Sequence, residues 1–447
     1  PAPHMRKATK VRLYPTNEQK QLLAQQFGCS RFWWNKALSL QYEHRSEQGR
    51  WLKLTELNAM LPGLKVELPW LSDCYSQVLQ ATTKHLEQAM KNWFEGRAKK
   101  PRFKAKKNNQ SISFPQNVKI VENNPTGDGG QPECIRVRRV LSGKLPTQKP
   151  SPSVRLKIPK IGLVKAKFTR SIEGEIKTVT ISVTPSGKYY AAIGLDLGDV
   201  DVEQSTNGIV TGIDLGLKDY VTCHNGTETY SIKHPKWLKR HERNLKKHQK
   251  QLSRRNGSRS STETVKTALP LKGSNRRNKA RLLVTRIHER LSNTRQDFLH
   301  KLSRKITDES QVVVVENLNI KGMVKNRKLS KAIAQSGWGM FLNFLSYKLE
   351  HKGGVLVEID RFFPSSKTCS NCGYIHKELQ LKDREWTCKQ CSTHHLRDDN
   401  ASRNIRTEGI RILGLGHSPR GDDVRLEACF EQLSVKRVPS FEQLSLF

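Results

Sequence analysis

A chain of 447 residues has the length of roughly two to four domains, and it can bury its own cores without covalent staples. Lys and Arg number 79 against 41 Asp and Glu, a net charge of +38. An excess of that size and single sign excludes an ordinary solvated surface. It points to a polyanionic partner, nucleic acid rather than membrane.

No apolar run approaches the roughly 20 residues of a spanning helix. No leader pattern opens the chain, so a cytoplasmic, nucleoid-associated protein is expected. Four of the nine cysteines are clustered, which argues for metal binding and against a disulfide framework.

In chain order, residues 6–14 alternate as a strand that stops at Pro15. Thr16 opens a helix through Leu22, Leu23 and Phe27, and residues 36–60 read as helix. Between them, Phe32, Trp33 and Trp34 lie among basic residues, a setting for base stacking or for helix packing. After Pro69 a helix carries Val78, Leu79, Leu86 and Met90 on one face. Ser76, Gln77, Gln80 and Thr83 line a polar face suited to base edges or to solvent.

The loop K-K-P-R-F-K-A-K-K, 99–107, is broken by Pro101 and suits phosphate contact. Residues 121–153, rich in Pro, Gly and Ser, read as a mobile insertion. The runs 154–159, 177–183 and 188–195 are strands of a small β domain, closed or nearly so. From 233 the chain turns helical and strongly basic, with a flexible tip at 256–278. A second helix, about 279–307, completes an antiparallel basic hairpin. A further helix, about 338–351, places Trp338, Phe341, Phe344, Leu345 and Leu349 on one face.

Three acids stand out against this pattern. Asp214 lies in G-I-D-L-G, Glu316 ends V-V-V-V-E, and Asp398 opens R-D-D-N-A-S-R-N. The first two close β-branched runs that read as buried strands, so each carboxylate would stand over a cleft while its strand is fixed in the core. Three converging carboxylates suit hard divalent cations. Between the second and third acids lies Cys369-x2-Cys372, then 15 residues, then Cys388-x2-Cys391. Two such knuckles close a tetrahedral structural zinc site with no open position for catalysis. His394 and His395 fall just outside it. Strands and helices alternate from 207 to 364 and resume at 395–412, the pattern of an α/β core interrupted by the cysteine module.

These motifs together resemble TnpB, the transposon-associated RNA-guided nuclease related to type V CRISPR effectors. G-I-D-L-G, V-V-V-V-E-N-L, F-P-S-S-K-T-C-S-N-C-G, W-T-C-K-Q-C and R-D-D-N-A-S-R-N-I carry the resemblance. R-L-Y-P, P-R-F-K, L-K-I-P-K-I-G, L-S-R-R and R-Q-D-F-L-H-K extend it over about residues 6–410. It implies a multidomain α/β protein with an RNase H-like (RuvC) nuclease core at 206–364 and 393–412. A four-cysteine zinc ribbon that binds target nucleic acid is inserted at 365–392. An oligonucleotide-binding β barrel (wedge) is implied at 5–35 and 100–200, a helical recognition insertion at 36–99, and a disordered tail at 413–447. Catalytic roles fall on Asp214, Glu316 and Asp398. Candidate nucleic-acid contacts are Ser76, Gln77, Gln80, Arg102, Lys104, Lys246, Lys247, Arg254, Arg255, Arg295 and Arg397. The third motif departs from the family's D-R-D-x-N-A-A at Leu396 and Ser402. Both flank the acid, so activity is expected to survive.

The implied function is cleavage of guide-matched double-stranded DNA beside a short target-adjacent motif. Partners are a guide RNA from the transposon end and target DNA, with one monomer per RNA and no membrane. The expected cofactors are two Mg²⁺, replaceable by Mn²⁺, and one structural Zn²⁺. Asp214 would bridge the two catalytic ions, with Glu316 and Asp398 holding one each. Three alternatives stay open: an RNA-guided DNA-binding repressor without cleavage, a transposase acting without RNA, and an RNA-processing or architectural protein whose acids are structural.

Overall fold

The computed structural model describes residues 4–107, 109–121, 154–169, 172–199, 208–235, 237–254, 274–380 and 382–414. The 121–153 insertion beyond Val121, Arg255, most of the 256–278 tip and the tail from 415 lie outside the described residues. The chain divides into two compact units, 1–201 and 202–446.

In the first unit, strand β1 (His4–Tyr14) leads into helix α1 (Asn17–Gln48). Thr16 caps that helix: its hydroxyl accepts from the Gln19 amide, and the Gln19 side chain accepts from the Thr16 amide. Helix α2 (Leu54–Glu67), a 3-10 turn (Pro69–Asp73) and helix α3 (Ser76–Phe94) follow. Strands β2 (Gln110–Phe114), β3 (Lys119–Val121), β4 (Arg155–Ile158), β5 (Gly162–Lys167), β6 (Glu175–Val183) and β7 (Tyr189–Asp199) join β1 in one antiparallel sheet. Its order is β2-β6-β7-β1-β5-β4-β3.

The two edge strands, β2 and β3, are therefore consecutive in the chain. A flat sheet of this width would hold its edges about 29 Å apart. The connection from Phe114 to Lys119 spans at most about 18 Å. The sheet must curl, bringing its edges toward each other. Its inner face and the helices share one apolar cluster that includes Leu23, Trp33, Leu79, Phe114, Leu156 and Ile193.

Residues 17–48 form one unbroken helix, so the boundary expected at 35/36 falls inside α1, and the helix expected over 36–60 is interrupted at 49–53. Gly49 stops α1 in the left-handed conformation, at φ 70°. Trp33 and Trp34 serve packing. Trp33 is fully buried and its indole donates to Thr83 Oγ1 at 2.9 Å, while Trp34 donates to the Arg102 carbonyl at 3.0 Å. Thr83, expected on the polar face of α3, is thereby part of the core.

In the second unit, β8 (Val210–Leu215), β9 (Asp219–His224) and β10 (Thr229–Lys233) form an antiparallel meander. Helices α4 (Trp237–Arg254) and α5 (Asn275–Glu309) pack together and lead to β11 (Val312–Glu316). Short helices α6 (Ile320–Met323) and α7 (Ser330–Ser336) precede α8 (Trp338–Glu350) and β12 (Val355–Ile359). The sheet order is β10-β9-β8-β11-β12, with β8, β11 and β12 parallel.

Strand alternation divides the valines of β11 between two cores. Val313 and Val315 pack with α5 and α8, against Leu299, Ile306, Phe341 and Leu345. Val312 and Val314 pack on the other face with Ile405. Ile405 belongs to the last helix, α9 (Arg397–Ile412), which follows the hairpin of β13 (Glu385–Thr387) and β14 (His394–Leu396). The apolar face expected for 338–351 is the buried face of α8, with Trp338, Phe341, Phe344, Leu345 and Leu349 all inside. No described helix is long and apolar enough to cross a membrane.

Candidate active site and metal centre

Asp214 and Glu316 stand at the C-terminal ends of β8 and β11, which are paired in parallel, and both are half-buried. Asp398 is the second residue of α9. The helix reaches the sheet because glycine opens the way. A Cβ at Gly212 of β8 would lie 2.3 Å from the Ser402 carbonyl oxygen and 2.5 Å from the Arg406 nitrogen, and one at Gly409 would lie 2.3 Å from a Val314 methyl. With those contacts open, the first turn of α9 comes beside the ends of β8 and β11.

The electrostatics record the convergence. Burial first, then the charges of Glu316 and Asp398, push the Asp214 carboxyl up to about 7, against an opposing pull from Arg397. Like charges that act on one another are what a divalent cation would neutralise, and the donor set is all carboxylate oxygen, as hard cations require. Their ligand atoms are not drawn within 4.8 Å of one another, unlike those of the cysteine cluster, the only such group among the described residues.

Two of the acids have further partners. Ser365 donates its hydroxyl to Glu316 Oε1. Arg384 lies 3.8 Å from Asp398 Oδ1. Neighbouring Asp399 is half-buried, and its carboxyl is raised chiefly by burial.

Cys369, Cys372, Cys388 and Cys391 bring their sulfurs together within 4.8 Å. Cys369 and Cys391 are 3.6 Å apart, as are Cys372 and Cys388. A tetrahedron with 2.3 Å zinc–sulfur bonds has edges of about 3.8 Å, so the residues fit zinc. His395 is buried with its Nε2 3.0 Å from Cys369 Sγ, placed to donate to a thiolate.

The cysteine module is bound to the acid-bearing helix by two buried asparagines. Asn400 Oδ1 accepts from the Ser370 amide at 2.9 Å, and its Nδ2 donates to the Thr368 carbonyl at 2.7 Å. Asn404 Nδ2 donates to the carbonyls of Ser365 and Thr368, at 2.7 and 2.6 Å. Ser365, Asn400 and Asn404 were not among the residues expected from the sequence. The signal was present: two asparagines four apart, flanked by Ala401 and Ile405, place amides on the buried face of a helix.

The expected nucleic-acid contacts are placed unevenly. Ser76, Gln80, Arg102, Lys104, Lys246, Lys247 and Arg254 are exposed. Gln77 is half-buried, Ser76 accepts from Lys65, and the Lys104 ammonium lies 3.7 Å from the centre of the Trp34 ring. Arg295 is drawn inward. Its Cδ packs 3.2 Å from where a Cβ on Gly337 would be, and its Nε is buried without a hydrogen-bond partner. Arg397 donates to the Gln380 carbonyl at 3.1 Å and reaches Ser366 at 3.4 Å.

Known proteins resemble this chain along most of its length. Residues 198–327 match the OrfB_IS605 model, described as "Probable transposase", and residues 338–405 match a "Cas12f1-like, TNB domain". Residues 5–50 match a model described as a helix-turn-helix domain, though here they form a strand and one unbroken helix. A Streptomyces pristinaespiralis protein named as a candidate RNA-guided DNA endonuclease is 33% identical over 419 residues, covering 93% of this chain and 92% of that protein. InsQ of Escherichia coli K12, named likewise, is 26% identical over 430 residues, covering 92% of this chain and 94% of its own. Among solved structures, Cas12f1 in complex with sgRNA and target DNA aligns over 90% of this chain and 99% of that chain, at 14% identity and a TM-score of 0.47. The near-complete match at 33% identity, with two segments matching OrfB_IS605 models, makes the chain a member of the TnpB (OrfB) family.

Proposed function

We propose that the protein is an RNA-guided DNA endonuclease that hydrolyses phosphodiester bonds of guide-matched DNA in a transposon setting. One observation carries the reading: the carboxylates of Glu316 and Asp398 both act on that of Asp214, at the meeting point of two parallel strand ends and a helix start. Binding-only or structural roles give no reason to keep three half-buried like charges close enough to act on one another. The names carried by its relatives support the same reading.

Divalent cations bound there would supply activated water and neutralise charge on the leaving 3′ oxygen. The residues of this chain do the rest. The charges of both other acids act on Asp214. Ser365 fixes the orientation of Glu316 through its hydroxyl. The Asn400 and Asn404 amides fix the start of α9, and with it Asp398, against the cysteine module. Zinc held by that module would be structural, because four thiolates leave no open position. Guide RNA pairing would supply sequence specificity, while basic residues such as Arg102, Lys246, Lys247 and Arg254 would grip backbones. Ser76, Gln77 and Gln80 would read a short motif in the target duplex.

The experiment is to sequence the RNA that copurifies with the protein and assay a matched plasmid with Mg²⁺. A discrete RNA and guide-dependent cleavage are expected. A protein that carries no discrete RNA, and whose melting temperature added scaffold RNA does not shift, overturns the reading.

A further inference from the structure

The loop between β12 and the first zinc knuckle is fastened to Glu316 and to its neighbour Asn317. At its start, Ile359 is the parallel-strand partner of Glu316, and its carbonyl accepts from the Asn317 amide at 3.3 Å. Arg361 Nε then donates to the Asn317 carbonyl at 3.3 Å. At its end, Ser365 donates to Glu316 itself. The loop is also bonded internally. Asp360 Oδ1 accepts from the Phe362 amide at 2.7 Å, the Asp360 carbonyl accepts from the Phe363 amide at 3.2 Å, and the Phe363 carbonyl accepts from the Ser365 amide at 2.8 Å.

At the tip of this loop, two adjacent phenylalanines take opposite courses. Phe363 packs onto the apolar cluster beneath α9. Phe362 is 84% exposed, the most exposed large hydrophobic side chain among the described residues. Burying a phenyl group is one of the larger gains open to a single side chain. Here a short, internally bonded loop holds one in water instead, within at most about 11 Å of Ile359 along the chain. An exposed guanidinium, Arg361, stands beside it.

We propose that Phe362 is a stacking platform for an unpaired nucleobase of the strand being cut, next to the scissile phosphate. A rigid aromatic face near a carboxylate site is the surface an unstacked base would cover, and stacking tolerates any base. Arg361 adds a charge suited to the neighbouring phosphate. The platform keeps the backbone in register with the acids by holding a base, and it touches none of the reacting atoms. It is therefore a positioning residue. The inference rests on the nuclease reading above.

The test is a double-mutant cycle between side chain and base. The guided complex cuts matched DNA carrying a single abasic nucleotide at each position around the cut, with wild-type protein, Phe362→Ala and Phe362→Trp. Wild type is expected to slow about tenfold at one or two abasic positions, a stacking-sized effect. Phe362→Ala should cut intact DNA about tenfold more slowly and show no further loss at those positions. Phe362→Trp should behave as wild type. Unchanged melting temperature and zinc content in both variants exclude a folding defect. If wild type cuts and the abasic losses are the same in Phe362→Ala at every position, the inference falls alone. If wild type cuts no matched DNA, the nuclease reading falls and takes this inference with it.

Discussion

Ser365 joins two of the three acidic elements: its hydroxyl donates to Glu316 on β11, and its carbonyl accepts from Asn404 on α9, the helix that carries Asp398. A hydrogen bond to a charged group contributes about 1.5–3 kcal/mol. Ser365→Ala is therefore expected to lower kcat by roughly 10- to 100-fold while leaving guided DNA binding intact. Single-turnover cleavage and a filter-binding assay on the same preparation separate the two. Weaker DNA binding with an unchanged cleavage rate would contradict the positioning role.

Asp398 and Asp399 open the same helix turn, and the raised carboxyl of Asp214 identifies Asp398 as a neighbour. Asp398→Ala should abolish cleavage and leave guided binding in place. Asp399→Ala should stay within about tenfold of wild type, the scale of a helix-end charge of about 1 kcal/mol. Cleavage of a matched plasmid in excess Mg²⁺ decides it. A dead Asp399→Ala beside an active Asp398→Ala would move the motif by one residue.

Zinc should be present at one equivalent per chain, and Cys369→Ser or Cys391→Ser should release it. Asn400 binds the backbone on both sides of Cys369, so the damage should spread to the start of α9. Metal analysis of the purified protein, followed by plasmid cleavage, tests this. Full cleavage by a zinc-free variant would separate the ribbon from the acids.

The Asp214 carboxyl, raised to about 7 from an ordinary value of 3.8, sets a pH dependence. The folded protein keeps this proton where the unfolded chain has already lost it. The metal-free fold therefore loses stability as pH rises from about 4 to 7, and the loss levels off above that. A cation must displace the proton, so Mg²⁺ affinity should fall by up to about tenfold per unit as pH drops below 7. Calorimetric titration of Mg²⁺ at pH 6, 7 and 8 measures it. Equal affinity at all three would mean that Asp214 is ionised throughout.

Gly409→Ala pits two effects against each other. Alanine in a helix gains about 0.5–1 kcal/mol over glycine. The added methyl, however, would meet the Val314 methyls at 2.3 and 2.6 Å, and overpacking of that kind costs about 1–3 kcal/mol. Packing should win, lowering the melting temperature, and Val314→Ala should restore part of the loss. A Gly409→Ala protein more stable than wild type would show that α9 can lift from the sheet freely.

The features legible in the sequence were those written locally. V-V-V-V-E announces a buried strand with a terminal acid, and two C-x-x-C pairs announce a metal site. The apolar face of α8 could be read from helical spacing alone. What stayed hidden depends on distant partners. Nothing near Trp33 says that Thr83 will accept its indole proton, and Arg295 reads as a surface cation until Gly337 lets it pack inward. The unbroken course of α1 escaped because aromatic and glycine residues near its middle weaken local helix propensity, and packing overrides that. Ser365 and Phe362 look like ordinary loop residues; only the folded loop places one on Glu316 and the other in water.

The order of the acids along the chain also bears on synthesis. Asp214 and Glu316 belong to strands complete by residue 316, whereas Asp398 follows the four cysteines. A nascent chain that has made the sheet still holds only two of its three carboxylates. The third is held in place when Asn400 and Asn404 dock on backbone around Cys369, one of four cysteines that would hold zinc. On the nuclease reading proposed above, a chain stalled before the ribbon would lack the third acid and should not cut DNA.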